Sequence, residues 1–200
     1  MANSTLRHAP LAINGGAKTK TIPYGTGTRF GEPELAQLSE ALQQNTLFYF
    51  KGKKVKEFTR KFAEMHGAKH CVATSSGTAS IHVALVALGI TLGDEVIVSP
   101  ITDMGSVIGI LYQNAIPVFA DVHPFNYAMT PEAVEKAITP RTKAILAVHL
   151  MGSPCDMDGM LKISKKYNIP IIEDCAQAFG AKYRNQHLGL HGSLGCFSTN

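Results

Sequence analysis

The stretch Ile169 to Gly180 reads IPIIEDCAQAFG, an apolar run that ends in two adjacent carboxylates, Glu173 and Asp174. A short apolar run bounded by proline and polar residues suits a strand covered on both faces, as in a parallel sheet. The carboxylates then fall at the strand's carboxyl end, where ligands of open α/β sheets collect. Asp174 is either a partner for a cationic ligand group or a cap on the turn that follows. A second candidate is SSGTAS, Ser75 to Ser80, which runs into the helically spaced apolar residues Ile81, Ala84, Leu85 and Leu88. Gly77 lets the backbone approach an anion, and the amides of Thr78 and Ala79 face it from a helix start carrying roughly +0.5 charge. The hydroxyls of Ser76 and Thr78 can add hydrogen bonds. An ordinary Ser/Thr N-cap accounts for the same residues.

No Gly-Lys-Ser/Thr follows this loop and it lacks G-x-G-x-x-G, which disfavours a nucleoside triphosphate or a nicotinamide dinucleotide. The remaining fit is a smaller phosphorylated ligand, held by one loop and met by a carboxylate from another strand. Pyridoxal 5′-phosphate has that shape, because its phosphate needs the helix start and its ring nitrogen needs a carboxylate that keeps it protonated.

Positioning these groups requires a sheet. Strands are expected near Cys71 to Thr74, Glu95 to Val98, Ile116 to Ala120, Ala144 to Val148, Ile169 to Glu173 and Leu194 to Ser198. Helices are expected over Thr78 to Leu88, Met104 to Gln113, Pro131 to Ile138 and Met157 to Tyr167. This alternation predicts an α/β fold, a mainly parallel sheet flanked by helices on both faces. Ahead of it, Met1 to Thr28 reads as an extended arm without a helix. A short amphipathic helix begins at Pro33, and a second presents Val55, Phe58, Phe62 and Met65 before stopping at Gly67.

With 200 residues and 45% hydrophobic content, the chain can form one compact domain. A domain of that size buries roughly 70% of its unfolded surface. No apolar run approaches the length of about 20 residues that spans a bilayer, and no secretory pattern opens the chain. A soluble, cytoplasmic protein without membrane contact is expected. Cys71, Cys155, Cys175 and Cys196 are widely spaced and read as reduced core thiols. The eight histidines show no compact ligand spacing, so no metal is expected. The net charge is a modest +4. The crowded Lys51, Lys53, Lys54, Lys56, Arg60 and Lys61 read as a solvated helix face or as an attraction for a phosphorylated partner. No aromatic platform accompanies them, so nucleic acid is not an expected partner.

The ordered set LAINGG, RFGEPEL, SSGTASIHVALVALGI, GDEVIVSP, NAIPVFADV, VHLMGSPCDMD, IPIIEDCAQAFGAKYRNQHLG and GCFS resembles the DegT/DnrJ/StrS family of fold-type-I pyridoxal-phosphate sugar aminotransferases. The resemblance implies that Thr78 and Ala79, with Gly77, bind the phosphate, joined by Ser198. It implies that Asp174 pairs with the pyridine nitrogen, that Gln177 approaches the ring hydroxyl and that Ala176 lies against one ring face. The family usually places an aromatic residue over the other face, directly after a Thr that follows a Pro. Here SPITDMG puts Asp103 at that position with Met104 beside it, and Asp103 is taken as a site residue. His149 is read as a hydrogen-bonded core histidine or a residue behind the cofactor.

The resemblance further implies an amino donor, glutamate or glutamine, a keto sugar, nucleotide-linked keto sugar or ketocyclitol as acceptor, and a homodimer with the site at the subunit interface. The family's Schiff-base lysine lies a few residues past the serine matched by Ser198, hence beyond Asn200. With GCFSTN following an apparent buried strand, the expectation is a fragment: an arm over 1–30, an incomplete cofactor-binding large domain over 31–200, no small domain and no turnover by itself. The alternatives are the family's dehydratase branch, with histidine in place of that lysine, and a cofactor-binding module without catalysis.

Overall fold

The computed structural model describes residues 10–22 and 29–199. It divides into two compact units, Met1–Lys53 and Lys54–Asn200. The expected arm lies partly outside the described residues.

In the first unit a single 3₁₀ turn, Ala12–Asn14, ends on Gly15 at φ 87°. It stands where no helix was expected. Helix α1, Glu32–Gln43, starts as the sequence predicts: Pro33 occupies its first turn and the Glu34 carboxylate accepts from the Gly31 amide at 2.7 Å. None of its residues is buried, and Leu35, Leu38 and Leu42 line one exposed side.

The second unit is built on a parallel sheet. Its strands are β1 (Glu95–Val98), β2 (Ile116–Phe119), β3 (Thr142–Val148), β4 (Ile171–Asp174) and β7 (Leu194–Cys196). They lie in the order β2-β1-β3-β4-β7, and every neighbouring pair is parallel. The helices are α2 (Lys54–His66), α3 (Gly77–Ala87), α4 (Met104–Tyr112), α5 (Pro131–Ala137) and α6 (Met157–Tyr167). A hairpin of β5 (Lys182–Tyr183) and β6 (Gln186–His187) turns through Arg184, whose φ is 53°.

Strand side chains alternate between two cores, as period-2 geometry requires. Val96, Val98, Leu146, Val148 and Ile172 face Ile81 and Leu85 of α3 and Ile110 of α4. Ile97, Ile145, Ala147 and Ile171 face Val134 of α5 and Met157, Met160 and Ile163 of α6. The strands therefore need apolar residues at consecutive positions, which explains the unbroken runs in the sequence. Helix α6 begins at Met157 and ends at Tyr167 as expected, capped by Asp156, whose side chain accepts from Gly159 N.

One expected strand does not form. Cys71 to Thr74 precedes α3 without joining a ladder, and Val72 is 72% exposed. A strand exists only through a hydrogen-bonded neighbour, and among the described residues none pairs with this segment.

Helix α2 ends at Gly67 with φ 74°, as its sequence predicts. Its burial centres on His66, while Phe58 and Met65 remain about half exposed. Phe62 stacks on His66 at 4.2 Å and meets Phe197 edge-on at 5.0 Å. Its cations sit on the solvated side, where Lys61 pairs with Glu57 and Arg60 with Glu64, each at 2.7 Å. Among the described residues no helix is long and apolar enough to cross a membrane.

Candidate cofactor site

Asp174 closes β4 and is only 4% exposed. Its Oδ2 accepts from the Ser106 hydroxyl at 2.6 Å, and its Oδ1 accepts from the Ala176 amide at 3.0 Å. Ser106 lies in the first turn of α4, so the helix start and the strand end meet at this carboxylate. Val148 of β3 and Cys196 of β7 are its register neighbours on either side.

The start of α3 reaches the same end of the sheet. A Cβ built on Gly77 would come within 3.1 Å of Ser198 Cβ, so a side chain at position 77 would crowd the backbone where Ser198 sits. Ser76 is the N-cap, and its Oγ accepts from the Ala79 amide at 3.0 Å. One of the two amides expected to face an anion thus has an internal partner. The N–H groups of Gly77 and Thr78, in the helix's first positions, have no intrahelical acceptor. A Cβ on Gly105 would lie 2.6 Å from Thr78 Oγ1 and 2.9 Å from Asp103 Oδ1, which shows how closely the starts of α3 and α4 approach.

Asp103 is exposed and commits one carboxylate oxygen to its own helix. Its Oδ1 accepts from the Gly105 amide at 2.7 Å and caps α4. Met104 beside it is 57% exposed. Gln177 is exposed, and its Oε1 accepts from the Met151 amide at 2.8 Å. That contact leaves the Gln177 NH₂ group as the donor available to a ligand. Met151 holds φ at 53° and is 84% exposed, a strained backbone position of the kind found at functional sites. Ala176 is exposed directly after the strand end.

Glu173 points to the opposite face from Asp174 and is fully buried. Its Oε2 accepts from Gly189 N at 2.8 Å and from His149 Nε2 at 3.1 Å. Its Oε1 accepts from the amides of His191 and Gly192, each at 2.7 Å. Burial works to raise its pKa, but the donors from His149, Gly192 and Gly189 outweigh burial and hold it below 4.5. The Cys155 amide donates to His149 Nδ1 at 3.2 Å, so that nitrogen is unprotonated and Nε2 carries the hydrogen given to Glu173. The imidazole is buried with both ring nitrogens hydrogen-bonded, and the core-histidine reading describes it.

His149, Glu173 and Cys175 bring donor atoms within 4.8 Å of one another, a grouping concealed in the sequence by their spacing. Both imidazole nitrogens are engaged and burial drives the Cys175 thiol pKa upward, so His149 and Glu173 work as a hydrogen-bonded pair with the Cys175 thiol beside them. Ser106 and Thr102 were not singled out by sequence reasoning. Their only local signal is a Thr and a Ser flanking a helix-capping Asp, which is common at helix starts.

A parallel, helix-flanked sheet with a buried carboxylate at one strand end and a helix start beside it defines the large domain of fold-type-I pyridoxal-phosphate transferases. The profile of the DegT/DnrJ/EryC1/StrS aminotransferase family matches residues 29–200, and the chain belongs to that family. It is 42% identical over 193 residues to L-glutamine:2-deoxy-scyllo-inosose aminotransferase of Micromonospora echinospora, covering 94% of this chain and 46% of that protein. The solved aminotransferase of Psychrobacter cryohalolentis superposes with a TM-score of 0.84 at 39% identity, covering 88% of this chain and 44% of that one. Spr1654 of Streptococcus pneumoniae, solved in its PLP form, superposes at 0.78 with 29% identity, over 86% of this chain and 47% of that one. The chain spans about half the length of the curated relatives it matches.

Proposed function

We propose that the whole protein is a pyridoxal-phosphate-dependent aminotransferase. It moves an amino group from glutamate or glutamine to a keto sugar, a nucleotide-linked keto sugar or a ketocyclitol. The observation that carries this reading is the buried Asp174 carboxylate, held by Ser106 beside a helix start that converges on Ser198. Acceptor class and donor rest on the family and on the glutamine and inosose in the relative's name. A cytoplasmic homodimer and a Schiff-base lysine past Ser198 complete the proposal.

The residues fit the cofactor. A bare glycine at position 77 leaves room against Ser198. The amides of Gly77 and Thr78 and the hydroxyls of Thr78 and Ser198 would hold the phosphate, with Ala79 fixing the turn through Ser76. Asp174 would hold a proton on the ring nitrogen, since a buried anion favours a cationic neighbour. Ala176 would lie against the ring, and Gln177 would donate from its NH₂ to the ring oxygen. When bound, the cofactor supplies the electron sink that stabilises charge developing at the carbon bearing the amino group.

Equilibrium dialysis of pyridoxal phosphate against this chain tests the site. Saturable binding at one cofactor per chain, lost in Asp174→Ala, is expected. No binding, or equal binding by the variant, overturns the reading. Amino-sugar formation from glutamine and a keto sugar by the whole protein tests the reaction.

A further inference from the structure

The Asp174 carboxylate is held on both oxygens by different parts of the fold. Ser106, 2% exposed, reaches it from α4, and the Ala176 amide reaches it from the turn after β4. Behind Ser106, the Thr102 hydroxyl lies 2.8 Å from Ser106 Oγ. An ionised carboxylate only accepts, so the single Ser106 proton is committed to Asp174, and Thr102 must donate to Ser106. The chain of donation therefore runs Thr102 to Ser106 to Asp174. Rotating the carboxylate would break a hydrogen bond at each oxygen, while a second lone pair on each stays open to a further donor.

The α4 start builds this arrangement. Asp103 caps the helix through Gly105 N, and the Ser106 amide donates to Asp103 O at 3.1 Å, which fixes the turn carrying the serine. We propose that Ser106, backed by Thr102, is a positioning residue that sets the plane of the Asp174 carboxylate against the cofactor's ring nitrogen. This role rests on the cofactor reading above. It also has a direction. A hydroxyl donated to a carboxylate stabilises the anion and by itself weakens its hold on a neighbouring proton. Positioning acts in the opposite sense, because a fixed carboxylate meets the ring N–H in line.

The test uses pyridoxamine 5′-phosphate as the probe, with absorbance titrated against pH and affinity measured by dialysis. The proteins are the wild type, Ser106→Ala, Thr102→Val, Thr102→Ser and Asp174→Ala. Losing one hydrogen bond to a charged group corresponds to about tenfold weaker binding in Ser106→Ala. The ring proton should then leave at a pH about one unit lower than in the wild type. Thr102→Val should shift both readouts the same way by less, and Thr102→Ser, which keeps the hydroxyl, should match the wild type. An unchanged or raised proton-release pH in Ser106→Ala overturns the role while leaving the cofactor site standing. Equal binding by the wild type and Asp174→Ala removes the cofactor reading and this role with it. If Ser106→Ala does not fold, the Thr102 pair decides: identical behaviour of Val and Ser at that position overturns the proposal.

Discussion

His149, just past the end of β3, donates from Nε2 to Oε2 of Glu173, the penultimate residue of β4, at 3.1 Å, with neither side chain exposed to solvent. The same carboxylate collects the amides of Gly189, His191 and Gly192, so it ties the segment between β6 and β7 to the sheet. Glu173→Gln replaces an acceptor by an NH₂ group and sets donor against donor. It should destabilise the fold by about 3 kcal/mol, measured by urea unfolding.

The pH dependence follows from the same contacts. The folded-state pKa of Glu173 lies below its ordinary value of 4.5, so its contribution is fully present above pH 4.5 and is lost as pH falls through the folded value. Acid unfolding of the wild type should therefore steepen below pH 4.5, and Glu173→Gln should flatten that part of the curve.

Gly77→Val places a side chain against Ser198, where even a Cβ meets 3.1 Å. Pyridoxal-phosphate affinity should fall at least about tenfold, or about 1.4 kcal/mol. Helical circular dichroism should change little, because α3 keeps its Ser76 cap.

Asp103→Ala should lower stability by about 1 kcal/mol through loss of the α4 cap. Asp103→Ser should restore it, since serine also caps. If Asp103 acts only as a cap, Asp103→Ser keeps cofactor affinity as well; a ring-face contact would make the two readouts part. Thermal melts and cofactor titration on the same samples separate these roles.

Burial pushes the thiols of Cys155 and Cys196 up to about 12 and raises that of Cys175 as well. Cys71 is only half-buried. An iodoacetamide time course followed by peptide mapping should modify Cys71 first, with the other three reacting only once the protein unfolds.

Much of the fold is legible in local pattern. Helix α6 has its predicted bounds, and β1 is the predicted strand. Strand β4 ends at the expected carboxylates because a buried parallel strand must be apolar until it reaches the site. The extended segment Cys71 to Thr74 was misread as a strand because its composition reports only local preference, while a strand also requires a partner ladder. Asp103 has a local role that the sequence reading did not name. Its position in a family pattern points toward the cofactor, and one of its carboxylate oxygens also caps α4 through Gly105 N.

The amino-acid sequence by itself determined the alternation of strands and helices, the strand-end position of Asp174 and the Gly77 helix start, because each depends on residues adjacent along the chain. Only the tertiary structure decided what holds those groups. Ser106 is 68 positions from Asp174, and His149 is 24 from Glu173. Such contacts arise when parallel strands bring distant segments side by side, and no local periodicity encodes which hydroxyl or imidazole will arrive at which carboxylate.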